Sequence, residues 1–334
     1  MAAPPGGVHS IENEKATMAK SKSVATATAR WAKKRPSAGP QVPASTLAKG
    51  GIIPYLFSIP SILMVSIILA YPVIWGIVQS FYRRELGQEK FFVGFDNYSA
   101  LAASDTFWAS LQRTGIFVAG GIIIGTSLGL VFAFALNNAL GSLRFLRGVS
   151  IAPYIVSSVA AAVMFRILFN DQFGPVNKIL QAFGGAGLPW LSDGALAMLV
   201  VIVAQVWGDM PLTVLILLAG LQMIDKSYLE AALVDGASPR VRAREITLPL
   251  LAPQIAITVI WQSYSSMTGL GIVLALTGGG PLEATLTLPV EMYQLAFISF
   301  KEFEALAIGT IVLFINALLT LIYLRLSKRY GAED

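Results

Sequence analysis

Hydrogen-bonding side chains stand out in this sequence because their neighbours are mostly apolar. Trp261-Gln-Ser-Tyr-Ser-Ser266, followed by Thr268-Gly269, places Gln262, Ser265, Ser266 and Gly269 at helical spacing on one polar stripe. Neutral donors and acceptors suit a hydroxyl-rich solute, whose recognition needs hydrogen bonds rather than charge. The same pattern suits packing of helices through small and hydroxylated residues. A second stretch, Trp207-Gly-Asp-Met-Pro-Leu212, carries Asp209 within an apolar run, and Pro211 frees the Trp207 carbonyl from its helical bond. An unwound polar segment lining a substrate cavity is the expectation there. Structural pairing of Asp209 with Arg166 is the alternative. Arg166, ahead of Ile167-Leu168-Phe169-Asn170-Asp171, either snorkels to an interface or serves transport. Trp207, Trp261 and Tyr264 either offer ring faces to a sugar or pack against neighbouring helices.

Other chemistries are excluded by what the sequence lacks. There is no cysteine, so disulfides, thiolate metal sites and cysteine nucleophiles are impossible. The one histidine, His9, lies in a polar stretch, which removes most histidine catalysis and metal ligation. No Gly-x-x-x-x-Gly-Lys-[Ser/Thr], His-Glu-x-x-His or Gly-x-Ser-x-Gly occurs, and no paired carboxylates fall inside an apolar run. Gly278-Gly279-Gly280-Pro281 lacks the phosphate-binding lysine and reads as a turn. No catalytic residue and no metal site is expected. Energy for any work must come from a partner or an ion gradient.

The elements that position these residues are long and apolar. The chain has 334 residues, 55% hydrophobic and 13% charged, with a mean hydropathy of +0.67. A soluble domain carries roughly a quarter charged residues, so the composition is that of an all-α membrane protein. Six apolar stretches are expected to span, near Ile52–Phe81, Gly115–Leu136, Val149–Phe169, Leu196–Leu221, Leu250–Leu276 and Ala305–Leu324. The first holds Pro54, Pro60 and Pro72, so it tilts or starts with an interfacial helix.

Lys and Arg set the orientation. Seventeen lie in the first 50 residues, around Asn137–Gly148 (Arg144, Arg147), in Gln222–Pro249 (Lys226, Arg240, Arg242, Arg244) and after Leu324 (Arg325, Lys328, Arg329). Six lie in the alternate loops: Arg83, Arg84, Lys90, Arg113, Lys178 and Lys301. Both termini are therefore expected to be cytoplasmic. Residues 1–50 cannot bury enough apolar surface to offset chain entropy and read as a disordered basic tail. Ahead of a span, such a tail fits the cytoplasmic side better than a nucleic-acid-binding arm. Residues 51–330 form the membrane domain.

One loop, 222–249, is more elaborate than a connection requires. Ser227 and Glu230 have capping-box spacing, which predicts a short helix starting at Ser227. Gly236 ends it, and Ser238-Pro239 starts another. Glu230-Ala231-Ala232, then Asp235-Gly236, then Ile246, Leu248 and Pro249, resemble the EAA motif of permease subunits in binding-protein-dependent ABC importers. Arg244 departs from the motif, standing where relatives often carry an aromatic residue. Phe92-Val-Gly-Phe-Asp-Asn-Tyr98, Leu218-Ala-Gly-Leu-Gln222 and Leu276-Thr-Gly-Gly-Gly-Pro281 resemble the maltose-transporter-like sugar-permease branch. The similarity covers about residues 50–330.

The resemblance implies a type I ABC importer permease fold in a bacterial plasma membrane. It implies that Glu230, Ala231, Ala232, Asp235, Gly236, Ile246, Leu248 and Pro249 form a coupling element docked on an ATP-binding subunit. ATP and Mg²⁺ would then belong to those partners, with no cofactor on this chain. A second permease, an ATPase dimer and an extracytoplasmic solute-binding protein complete the assembly. Sugar contacts are carried to Asp209, Leu212, Gln262, Ser265, Ser266 and Gly269, although Leu212 and Gly269 are not polar or aromatic. The rivals are a gradient-driven carrier or channel using Asp209, and an ABC permease for a non-sugar solute.

Overall fold

The computed structural model describes residues 53–85, 89–137 and 152–330. Residues 1–50, the loop around Arg144 and Arg147, and the start of the third apolar stretch lie outside the described residues, as do the side chains of Lys328 and Arg329.

The chain divides into two compact units at Ile67/Ile68. The described part of the first ends at Ile67 and holds helix α1, Ile53–Val65, which contains Pro60. A π-helical stretch, Ser66–Ala70, runs into α2, Tyr71–Gln79, so Pro72 sits within a continuing helical run, where its missing N–H removes one helical hydrogen bond. In the second unit, strands β1 (Tyr82–Arg83) and β2 (Phe91–Phe92) pair antiparallel, Tyr82 opposite Phe92. Helices α3 (Asp96–Ala102), α4 (Asp105–Asn137), α5 (Ala152–Ile155), α6 (Ser158–Leu168), α7 (Pro175–Ala182) and α8 (Gly194–Met223) follow. Then come α9 (Lys226–Val234), α10 (Pro239–Val241), a π-helical stretch Arg242–Thr247, α11 (Leu248–Leu250), α12 (Ala252–Met267) and α13 (Leu270–Leu276). The last elements are α14 (Leu288–Tyr293), a π-helical stretch Gln294–Ile298, and α15 (Glu302–Tyr330).

Among the described residues, four helices are long and apolar enough to cross a membrane: Phe57–Gln79, Asp105–Asn137, Gly194–Met223 and Glu302–Arg325. The pair Pro239–Leu250 and Ala252–Met267, bent by 67°, makes a fifth if counted as one span. The expected six are thus resolved in part. The third stretch is divided between α5 and the short apolar helix α6. The fifth, expected to run unbroken from Leu250 to Leu276, breaks at Thr268–Gly269. There Leu270 N–H bonds the Thr268 carbonyl at 2.8 Å, with Gly269 at φ −71°, ψ 56°. This inverse γ-turn uses a backbone bond that a continuous helix would spend elsewhere. Gly269 consequently lies beyond α12 rather than on its polar stripe.

The core forms where α4, α8 and α12 meet. Gly121, Gly125 and Gly129 recur every fourth residue on α4, and all are buried. A Cβ at Gly121 would stand 2.7 Å from Ser266 Oγ, and one at Gly125 would stand 2.6 Å from Gln262 Nε2. One at Gly129 would overlap the Thr213 methyl group. Removing side chains along this line lets the helix backbones approach, as small residues do in membranes. Phe117 and Leu217 fill the interior on either side.

Candidate substrate pathway and loop 222–249

Helix α8 brings Asp209 and Gln205 one turn apart, and α12 brings Ser265 against both. Gln205 Nε2 donates to Asp209 Oδ2 and to Ser265 Oγ, each at 2.9 Å. Ser265 Oγ donates to Asp209 Oδ1 at 2.9 Å. Trp261 Nε1 is buried near Asp209 but makes no bond of hydrogen-bond geometry. Gly269 closes on the same place, since a Cβ there would stand 3.2 Å from Gln205 Oε1. Asp209 is 8% exposed and, with Gln205, Trp207, Tyr154 and Ser158, lines a cavity of about 190 Å³. Such a wall offers a carboxylate acceptor, an amide and hydroxyls to a bound solute.

Asp209, Ser265 and Gly269 therefore converge, around a Gln205 that sequence reasoning missed. Gln262 and Ser266 do not join them. Gln262 is buried between α4 and α8: its Nε2 donates to Thr213 Oγ1 at 3.0 Å, and Thr126 Oγ1 donates to its Oε1 at 3.4 Å. Ser266 is buried against Gly121. Leu212 is half-buried beside Thr213, away from the cavity wall.

The expected unwinding at Pro211 is not present. Helix α8 continues through it from Gly194 to Met223. Proline removes one donor, but Val214, Leu217 and Leu218 pack the following turn into a buried cluster. Thr213 Oγ1 also donates to the Asp209 carbonyl at 3.1 Å. Among the described residues Asp209 forms no ion pair with Arg166. Arg166 is exposed and lines a separate cavity of about 480 Å³ with Asn170, Gln172 and Thr277. Asp171 there accepts from the Leu191 N–H at 3.0 Å and from the Ser192 hydroxyl.

Loop 222–249 folds as short helices, with one correction to its start. The cap of α9 is Asp225, whose Oδ1 accepts from Ser227 N–H at 2.9 Å. Ser227 lies inside the first turn, so the expected Ser227–Glu230 capping box does not form. A carboxylate at the positive end of the helix is favoured over a serine hydroxyl. That backbone bond holds the Asp225 carboxyl below its ordinary pKa. At the other end Gly236 adopts φ +75°, Ala237 N–H bonds Ala232 carbonyl at 2.9 Å and Gly236 N–H bonds Leu233 carbonyl at 3.1 Å. This is a Schellman closure. Ser238 Oγ accepts from Val241 N–H at 3.4 Å and caps α10 as the sequence indicates.

The residues of the motif separate into two sets. Glu230, Ala231, Asp235, Gly236 and Pro249 are exposed. Ala232 is buried, and Ile246 and Leu248 are half-buried beneath. Leu233 and Val234 stand exposed at 57% and 87%, an apolar face at the tip of a polar loop.

Comparison with known proteins places this architecture. Residues 121–331 match the family described as "Binding-protein-dependent transport system inner membrane component". The chain is 32% identical over 278 residues to the trehalose/maltose transport system permease protein MalF of Thermococcus litoralis, covering 82% of this chain and 93% of that protein. It is 33% identical over 282 residues to the sn-glycerol-3-phosphate transport system permease protein UgpA of Agrobacterium fabrum, covering 83% and 95%. Its fold is similar to that of a chain in a bacterial ABC transporter involved in the import of the acidic polysaccharide alginate. The TM-score is 0.71 at 21% identity, covering 83% of this chain and 95% of that one. The chain belongs to the binding-protein-dependent ABC importer permease family, a non-catalytic, multi-pass inner-membrane component of a transport system.

Proposed function

We propose that this chain is one of two unlike permease subunits in an ATP-driven importer of a sugar or sugar-like solute. It crosses the membrane six times with both termini in the cytoplasm. An extracytoplasmic binding protein delivers the solute, and two ATP-binding subunits drive the cycle. The observation that carries this reading is the exposed helix Lys226–Val234, with its apolar tip and its Schellman-closed end. Residues Glu230, Ala231, Ala232, Asp235, Gly236, Ile246, Leu248 and Pro249 form the docking element. ATP binds the closed state of the motor better than the open one, and that difference shifts the permease from inward- to outward-facing.

Two relatives support the solute class: one is a trehalose/maltose permease and the other handles sn-glycerol 3-phosphate, a polyol ester. The Gln205–Asp209–Ser265 cluster fits hydroxyl recognition. Gly269 stands beside that cluster, whereas Gln262 and Ser266 pack α12 against α4 and α8, and Leu212 stands away from the cavity wall. Reconstitution with the ATP-binding subunits and the binding protein tests the reading, using labelled trehalose, maltose and sn-glycerol 3-phosphate as probes. ATP-dependent uptake of a probe is expected. Uptake by the isolated chain with an ion gradient and no ATP would overturn it.

A further inference from the structure

One seam between α4 and α14 gathers buried polar atoms that make no hydrogen bond among the described residues. Ser110 Oγ, Arg113 Nη1, Thr287 Oγ1 and Glu291 Oε2 are all buried without a hydrogen bond. Ser110 is 0% exposed, Thr287 1% and Glu291 6%. Leaving such groups unpaired is costly, and more so for charged ones. Arg113 reaches instead toward Glu283 on the neighbouring turn, where Nη1 and Oε2 stand 3.9 Å apart, too far for a hydrogen bond. Glu283 is 61% exposed at its side chain, so this pair is weak. Glu291 feels the attraction of Arg113 and the repulsion of Glu283, and lies beside Ser110. Burial raises its carboxyl above the ordinary range.

The turn that carries Glu283 is under backbone strain. Leu282 and Glu283 both adopt left-handed φ, 45° and 61°. Non-glycine residues avoid this region unless surroundings enforce it. Leu282 points wholly into solvent, 99% exposed. The arrangement therefore holds one cation, two competing carboxylates, and a strained turn with an exposed apolar handle.

We infer that Arg113 is a two-position latch: it pairs with Glu283 in this state and with Glu291 when the turn 278–287 moves. In the second position the guanidinium satisfies the buried carboxylate, and Ser110 and Thr287 complete its hydrogen bonds. Helix α14 is then locked to α4. Given the proposed orientation, the turn faces outside, so a partner pressing on Leu282 would set the latch. The inference rests on the importer reading, in which the solute pathway must open and close at that face.

The test uses the whole importer in nanodiscs. This chain has no native cysteine, so once it is labelled before assembly with its partners, spin labels at Leu282→Cys and Gln112→Cys report the turn-to-α4 distance. One distance distribution is expected at rest and a second after trapping with ATP and vanadate. Glu291→Gln should deplete the second about tenfold, within the usual range of coupling between sites. Glu283→Gln, a surface change, should populate the second without nucleotide. A single unchanged distribution in the wild-type chain and the Glu283→Gln variant, with ATP hydrolysis intact, would overturn the latch and leave the importer reading standing. An assembly that cannot hydrolyse ATP would instead count against the importer reading.

Discussion

Ser265 Oγ donates to Asp209 Oδ1 at 2.9 Å, joining two helices through residues 56 apart in sequence. Gln205 bridges both, so each of the three holds the other two in place. Ser265→Ala removes the hydroxyl that orients Asp209 toward the cavity, and a several-fold loss of solute affinity follows if that orientation is used. The expected outcome is a KM for uptake raised by that factor, with assembly unchanged. Ser265→Thr keeps the hydroxyl and should stay near wild type. Initial-rate uptake in proteoliposomes measures both.

Gly129 marks the tightest approach of α4 to α8, where a Cβ would overlap Thr213 and stand 3.2 Å from Leu217 Cδ1. Gly129→Val should destabilise the bundle by about 1–3 kcal/mol, as overpacking does. Gly115→Ala meets nothing within 4 Å and should be neutral. Thermal unfolding of the purified complex in detergent compares the two.

Gly236 has room for a side chain but a backbone that disfavours one, with nothing within 4 Å and φ +75°. Any L-residue there carries a local cost of about 1–2 kcal/mol. That is too little to prevent membrane insertion. If the loop docks as proposed, Gly236→Arg should abolish uptake by projecting a long charged group from it, while the chain still reaches the membrane fraction. Uptake and membrane-fraction blots on the same cells read the two effects separately.

Asp225 sets the pH behaviour of the helix Lys226–Val234. Its pKa is lowered in the folded loop by the Ser227 N–H bond. Stabilisation is thus present above the unfolded carboxylate pKa and lost as pH falls through the folded one. Relative to its intrinsic rate at each pH, amide exchange at Ser227 should be slow at neutral pH and lose that protection only below the ordinary aspartate range. Asp225→Ala should accelerate it at every pH, and Asp225→Asn, which keeps an acceptor, should remove the pH dependence.

Much of this architecture is legible from residue spacing, and the misses share a cause. The loop at 222–249 is visible because Gly236 and Ser238-Pro239 are local signals whose partners lie within a turn. Asp225 is missed as the cap because Ser227 and Glu230 satisfy the same rule two residues later. Of the stripe 262–265–266–269, only Gln262, Ser265 and Ser266 lie on α12, and spacing does not say what each side chain meets. Gln262 and Ser266, four apart, oppose Gly125 and Gly121, four apart on α4, while Ser265 turns toward Asp209. The glycine run at 121, 125 and 129 is the signal that would have separated them. The breaks at Gly269 and before Ser158 are invisible to hydropathy, which averages over a γ-turn as readily as over a helix.

The docking role of the loop 222–249 is tested most directly at Val234, 87% exposed at the helix tip. The chain carries no native cysteine, so Val234→Cys is the sole attachment point on this chain for a short thiol-linked photocrosslinker, attached to the purified chain before it is reassembled with its partners. Irradiation should yield one adduct, with the ATP-binding subunit, whose amount changes with nucleotide. Free labelling of the cysteine by a water-soluble maleimide in the intact importer, with no such adduct, would contradict the account.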